Sequence, residues 1–461
     1  MNDSPLSRPD LAEFAAHHRP DVERWLATLV DIPSVSVDPA RAADVRRCAE
    51  AAAALLTSVG AAHVELIDTG GHPLVHARLT AHPDWPTVTV YNHLDVQPAD
   101  GDDWQTDPFK LTHFGDRFIG RGATDDKGPA ITALLGALAA RNANLPVNIA
   151  FLWETEEEVG SEHFASTIQA HADRLKTNAI VVSDTIWVTR GKPSSPAGLR
   201  GLQPFRLTLT TATTDLHSGI TGGAVRNPLA ELMEVVSQCM DARSGRVLIP
   251  GFYDEVESLT PEEEDNFLSA GFSVETFKRD HRVSSLRATD TLEVLKRLWA
   301  LPTFEVHGVV GGYTGPGVKT AIPPAAEVKL SCRLVPNMTC SGTLDRIRAF
   351  IAERFPDVQV HAEPGLDPYK GHATGPLADA VRAAYRFGFG FDAEAVFTRE
   401  GGSIGAVPSM ERILDAPVVF LGLSLPEHGY HAPNEFFDWE QAEGGIAAFA
   451  ALFADLAQNL V

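Results

Sequence analysis

Apolar residues recur at three- and four-residue spacing over residues 22–29 and 42–59, with charged residues between them. That period predicts two amphipathic helices near the start of the chain. Residues 88–91 form a short β-branched and aromatic run and predict a strand. Residues 128–140, rich in Ala and Leu, predict a helix, and 147–153 and 179–182 predict two more strands. Helices and strands in this order imply an α/β unit around a mainly parallel sheet flanked by helices. The pattern breaks at residues 191–196, where Gly191, Pro193 and Pro196 read as a connection. Beyond it, 205–213 alternates with period two, 228–240 is helical, 328–334 is a strand and 344–355 a helix. The polar, acidic stretch 255–290 reads as helical and exposed. Residues 365–375 carry Gly and Pro and read as the return to the first unit, which 417–423 (strand) and 441–460 (helix) complete. The expected architecture is a discontinuous α/β domain, residues 1–197 and 372–461, with an inserted α+β domain, 198–371.

Composition narrows the function. The 461 residues are 44% hydrophobic and 21% charged, ordinary values for a chain with a sizeable core. The formal charge is −23, from 38 Lys and Arg against 61 Asp and Glu. Such a chain repels nucleic acid and anionic membrane, so neither is expected as a partner. Cys48, Cys239, Cys332 and Cys340 are widely spaced, which argues against both a disulfide framework and a thiolate zinc site. Residues 1–11 have no apolar core of a signal peptide, and no uncharged apolar run reaches the roughly 18 residues that span a bilayer. A cytoplasmic protein is expected.

The chemistry concentrates where the predicted strands end. The 88–91 run leads into Asn92-His93-Leu94-Asp95. The 147–153 run leads into Glu154-Thr155-Glu156-Glu157-Glu158, 179–182 into Asp184, and 417–423, after a loop, to His428 and His431. Asp125 and Asp126 precede the 128–140 helix. Open α/β sheets bind ligands beyond the carboxyl ends of their strands. Taken singly, each feature has an ordinary explanation: a His-x-Asp pair is usually structural, a glutamate run is usually a solvated helix face, and Asp125 is a plausible N-cap. Three glutamates directly after an apolar strand repel one another, however, and a cation relieves that repulsion. Imidazoles and carboxylates without thiolate suit Zn²⁺, Mn²⁺ or Co²⁺.

Several strings in order give the chain a resemblance to the di-metal M20 peptidases, in particular the carnosine and cytosolic non-specific dipeptidase branch. They are residues 92–98 (NHLDVQP), 120–128 (GRGATDDKG), 157–161 (EEVGS), 215–219 (DLHSG), 319–323 (KTAIP), 333–338 (RLVPNM), 399–403 (REGGS) and 431–435. The resemblance runs from about residue 32 to 435. It implies two divalent ions per subunit, Zn²⁺ or Mn²⁺ with Co²⁺ possible: His93 and Asp184 on one, Glu158 and His431 on the other, Asp125 bridging. It further implies that Asp95 orients the His93 ring and that Glu157 is the general base for a hydroxide held between the ions. His217, on the inserted domain, would stabilise the oxyanion in the partner subunit of a homodimer. Arg333, Thr320, Glu400, Gly402 and Ser403 would contact substrate. Asn92 and Thr155 stand where the family usually has Gly, and Glu156 adds a third carboxylate, so the base depends on register; Gly160-Ser161 sets it at Glu157. The implied reaction is hydrolysis of dipeptides or short peptides with a free C-terminal carboxylate, which Arg333 can grip with two hydrogen bonds. The same centre would serve an N-acyl-amino-acid deacylase or a carboxypeptidase.

Two further readings compete. Residues 401–405 fit G-x-S-x-G, with Asp415 and His431 following in the order of a serine hydrolase. That reading leaves the acidic cluster unexplained, and Pro408 spoils the helix a nucleophile elbow needs. A non-catalytic metal-stabilised scaffold is the other, but Glu157 and Glu158 are both present. The Gly-rich stretch 308–317 lacks the order of a phosphate-binding loop and reads as part of the inserted domain.

Overall fold

Buried β-branched runs build a six-stranded sheet in the order Ala62–Ile67, Leu74–Arg78, Asn148–Glu154, Thr87–His93, Ala179–Val182, Val418–Phe420. This computed structural model describes residues 6–79, 82–99, 101, 103–390 and 395–460; residues 1–5 of the N-terminal segment discussed above lie outside them. The last four strands run parallel, and the first two form an antiparallel edge. Every residue of Asn148–Glu154 and Ala179–Val182 is buried, as a strand covered on both faces requires. Successive side chains point to opposite faces. Val88, Val90 and Val181 enter the core under the helices Arg8–Val30, Ala42–Ser58, Gly128–Asn142, Pro376–Phe389 and Trp439–Asn459. Tyr91, Ile180 and Val182 enter the opposite core under Phe164–His171 and Ala406–Leu414. The helix Trp439–Asn459 crosses Gly128–Asn142 at Gly136, where an added Cβ would lie 2.4 Å from the Cβ of Phe449. The α/β expectation for this body is met, with a mainly parallel sheet.

A second body has a four-stranded antiparallel sheet, Thr303–Val310, Ala325–Leu334, Gly201–Thr210, Gln359–Ala362. Its helices Pro228–Cys239 and Cys340–Arg354 close a separate core around Phe205, Leu207, Leu232, Val328 and Ile347. Gly201–Thr210 alternates buried and half-buried positions along most of its length, the period-two signature of a sheet with one face on a core.

Three expectations need correction. Pro408 does not spoil the helix after Ser403: Ala406–Leu414 is helical and holds Pro408 in its first turn, where N–H groups have no partner within the helix. Residues 191–196 are not simply a linker: Ser194–Leu199 is a strand between Val396–Glu400 and Tyr369–Lys370, and it contains Pro196. The stretch 255–290 is not one exposed helical face. Pro261–Ser269 and Val274–Asp280 are short helices capped by Thr260 and Ser273, Phe267 is buried beside Leu295 and Ala300, and Ala270 is buried as well. Among the described residues no helix is long and apolar enough to cross a membrane, and all four cysteines are free.

Candidate metal centre

The parallel strands end on one side, and their ends hold the cluster. His93 is the last residue of Thr87–His93, the acidic turn follows Asn148–Glu154, and Asp184 follows Ala179–Val182. Asp125 stands in the turn that precedes Gly128–Asn142. Its two carboxylate oxygens face two imidazoles: Oδ1 lies 3.0 Å from His93 Nε2 and Oδ2 lies 3.0 Å from His431 Nε2. His93 Nε2 is also 3.8 Å from Asp184 Oδ2, and His431 Nε2 is 3.4 Å from Glu158 Oε2. Asp125 therefore sits between two imidazole–carboxylate pairs. Oxygen and nitrogen atoms of His93, Asp125 and Glu158 come within 4.8 Å of one another, as do those of His93, Glu157 and Asp184.

This donor set fits divalent cations on its own evidence. His93 is wholly buried, and Asp125 and Asp184 are 4% and 8% exposed. Burial first, then the charges of Asp125 and Glu158, push the Asp184 carboxyl up to about 7 in spite of His93. Burial and the neighbouring carboxylates likewise hold Glu157 well above its ordinary range. Burial opposes charge on Asp125 too, but His431 and His93 outweigh it and keep that carboxyl low. Asp125 and Glu158 together lift the His431 imidazole to about 10. Glu158 Oε1 is buried and has no hydrogen-bond partner. Like charges crowded in low dielectric protonate or take a cation, and nitrogen with carboxylate oxygen is the set that Zn²⁺ and Mn²⁺ accept.

The supports come from distant sequence. Nδ1 of His93 lies 3.0 Å from the carbonyl oxygen of Asp95 and 3.5 Å from its Oδ1. The Asp95 carboxylate accepts the backbone N–H of Glu157 (3.2 Å) and Glu158 (3.0 Å) and the hydroxyl of Ser36 (2.7 Å). It thus ties the acidic turn to the His93 strand more than it holds the ring. Glu435 does the same for Asp125. Its carboxylate accepts from Arg121 Nη1 (2.6 Å) and from the N–H groups of Gly122, Thr124 and Asp125 at 2.9–3.1 Å. Gln97 donates to Glu158 at 2.7 Å. Asn92, in place of glycine, donates to Asp126 at 2.7 Å and also to Ser183, and Thr155 donates to the Pro73 carbonyl at 2.6 Å. Ser36, Gln97 and Glu435 are functional residues beyond those the sequence points to: Gln97 and Glu435 stand inside the strings 92–98 and 431–435, and Ser36 carries no signal.

A cleft of about 520 Å³ opens over the cluster, lined by Asp125, Glu157, Glu158, Asp184, His431, Glu400, Gly402 and Ser403. Glu400 accepts the N–H of Ile186 at 3.2 Å, and burial raises its carboxyl to about 8. Arg333 stands at the edge and donates to Ser403 Oγ at 3.0 Å. His217 and Thr320 do not line this cleft. They are exposed on the second body, where Leu216–His217 pairs with Ala321–Ile322 and Ser218 donates to the Thr320 carbonyl. The serine-hydrolase alternative has no geometry behind it: Ser403 Oγ bonds to Arg333 and the Arg200 carbonyl, and His431 faces Asp125 and Glu158.

Comparison with known proteins gives concordant results. Residues 89–455 match Peptidase family M20/M25/M40. The chain is 33% identical to the human Beta-Ala-His dipeptidase, over 99% of this chain and 95% of that one. It is also 33% identical to a Cys-Gly metallodipeptidase of Schizosaccharomyces pombe, over 98% and 99%. The crystal structure of human carnosine dipeptidase 1 superposes with a TM-score of 0.83 at 32% identity, covering 99% of this chain and all of that one.

Proposed function

This chain belongs to peptidase family M20/M25/M40, and from that premise we propose how its own residues carry out the reaction. It is a metal-dependent dipeptidase, as are relatives that align along nearly its whole length. In our reading His93 and Asp184 hold one ion, Glu158 and His431 the other, and Asp125 both. The observation that carries this is the pair of 3.0 Å contacts from the two oxygens of Asp125 to two imidazoles, each with its own second carboxylate. Two divalent ions here, Zn²⁺ or Mn²⁺, supply Lewis acidity and a water of lowered pKa.

The protein's part is positioning and proton transfer. Glu157 lines the cleft, is held by Asp95 through its N–H, and bonds to no cation of the chain among the described residues. It accepts the proton of the attacking water and returns it to the leaving amine. Arg333 beside Ser403 receives the free C-terminal carboxylate of the substrate. Glu400, half-buried in the same lining, is the group we assign to the free amino end. His217 and Thr320 are too peripheral to serve the cleft of their own chain, which supports a homodimer in which they reach the partner's site.

Dialysis against a chelator should abolish dipeptide hydrolysis, and added Zn²⁺ or Mn²⁺ should restore it. A panel of free and N-acetylated dipeptides then separates dipeptidase from deacylase. Turnover of the blocked set alone would overturn the assignment of Glu400 and make this an acyl-amino-acid hydrolase.

A further inference from the structure

The second body carries a cavity of about 980 Å³ that the reaction above does not use. Its wall holds Arg200, Arg246, Arg287, Arg297 and Arg333 and a single carboxylate, Glu305. Five guanidinium groups around one space are unexpected in a chain of net charge −23. Their hydrogen bonds go to neutral oxygens. Arg200 donates to the carbonyls of Gly401 (3.3 Å) and Arg297 (3.5 Å), Arg297 to Ser244 (2.9 Å), and Arg333 to the Ser403 hydroxyl. Arg287 lies 3.9 Å from Glu305, the one ion pair found among them in the described residues. Nε of Arg297 is buried with no partner. Burial and the nearby Arg333 charge lower the Arg200 guanidinium to about 10, which is how uncompensated like charges behave.

The cavity adjoins the catalytic cleft. Arg200, Phe277 and Leu298 line both, and Ser403, the partner of Arg333, lines the cleft. One carboxylate is satisfied by one or two guanidinium groups. The α-carboxylate of a dipeptide leaves the rest of this wall unpaired, so the space asks for a second anion attached to the same residue.

Resting on the dipeptidase reading, we propose that the arginine-lined cavity selects substrates whose C-terminal residue has an acidic side chain, glutamate or aspartate. Arg200 and Arg333 face the α-carboxylate, and Arg246, Arg287 and Arg297 receive the side-chain carboxylate.

The test compares kcat/KM for Ala-Glu and Ala-Gln, which differ in charge and hardly in shape, in the metal-loaded enzyme. A charge-assisted hydrogen bond predicts that Ala-Glu is favoured roughly ten- to hundredfold. In Arg246→Gln and Arg287→Gln the ratio should fall severalfold, and Arg287→Lys should keep part of it. The ratio is read within one preparation, so a loss of folded protein lowers both rates and leaves it intact. Equal rates on the two peptides in the wild type, or a ratio unmoved in both Gln variants, would overturn the proposal. If no dipeptide were cleaved, the dipeptidase reading would fail by itself. Calorimetric titration of the same protein with L-glutamate and L-glutamine would still decide the cavity: tighter binding of glutamate sustains it, equal binding removes it.

Discussion

Glu156, Glu157 and Glu158 are identical neighbours in the chain and end in three different surroundings. Glu156 turns away from the cluster, accepting the His72 N–H at 2.8 Å and lying 3.1 Å from His163 Nδ1. Glu158 faces His431, and Glu157 faces the cleft between them and Asp184. If Glu157 moves the proton, Glu157→Gln should lower kcat by at least the roughly 10²–10⁴-fold typical of general acid–base catalysis. Because Glu157 is not one of our five ligands, metal content measured on the purified variant should stay near two ions per chain. A variant that loses a metal along with activity would make Glu157 a ligand instead, which its proximity to His93 and Asp184 permits. In the sequence, Gly160 and Ser161 alone set the register of this run. Side-chain direction in a turn after a strand depends on partners such as His163, and these have no local signature. His93 is easier to find, since it stands where an apolar run stops.

Elements matter here mainly through their ends, and one end joins the core to the site. Asp438 N-caps the C-terminal helix Trp439–Asn459 by accepting the Gln441 N–H at 3.0 Å. Its other contacts are Arg190 Nη2 at 2.5 Å and His428 Nε2 at 3.2 Å, while His428 Nδ1 lies 2.9 Å from the hydroxyl of Thr124, next to Asp125. Burial works against the Asp438 charge, but His428, Arg190 and the Gln441 amide outweigh it and bring the carboxyl down to about 2. A carboxyl depressed in the folded state stabilises above its unfolded pKa near 3.9, and that contribution fades as pH falls from about 4 to 2. Since the group is partly solvated, its worth is up to about 2 kcal/mol. Asp438→Asn should therefore lower the urea midpoint at pH 6, and the gap from wild type should hold down to about pH 4 and narrow below it. A gap that does not change with pH would mean that the cap's geometry matters and its charge does not. The helices over 42–58, 228–239 and 439–459 were legible from their apolar spacing, whereas Arg8–Val30 was read only over 22–29 and Pro376–Phe389 and Ala406–Leu414 were not read at all. The edge strands Ala62–Ile67 and Leu74–Arg78 and the strand Ser194–Leu199 were not legible. Pairing with distant strands defines them, and neither a mixed polar run nor a Pro-containing one announces its partner. Of the short helices at 261–280, Pro261–Ser269 buries Phe267 alone, too little to set a period.

At the scale of the molecule, the two bodies divide the work: the parallel sheet gathers the cluster, and the inserted body carries the exposed His217. A homodimer turns that placement into a countable prediction. In a symmetric pair each site would take Glu157 from one chain and His217 from the other. Neither Glu157→Ala nor His217→Ala should then retain much activity by itself. In a mixed pair, one site collects both lesions and the other collects none. Random exchange makes half of all dimers mixed, and each has one intact site of two, so an equal mixture should recover about a quarter of wild-type activity. Subunit exchange must be shown in the same sample, for example by native mass spectrometry of differently labelled chains. Recovery should also follow the mixed fraction as the ratio of variants is changed, rising to a maximum at equal amounts. Exchange without recovery would mean that each chain completes its own site, and His217 would have to reach the cleft by motion of the inserted body instead.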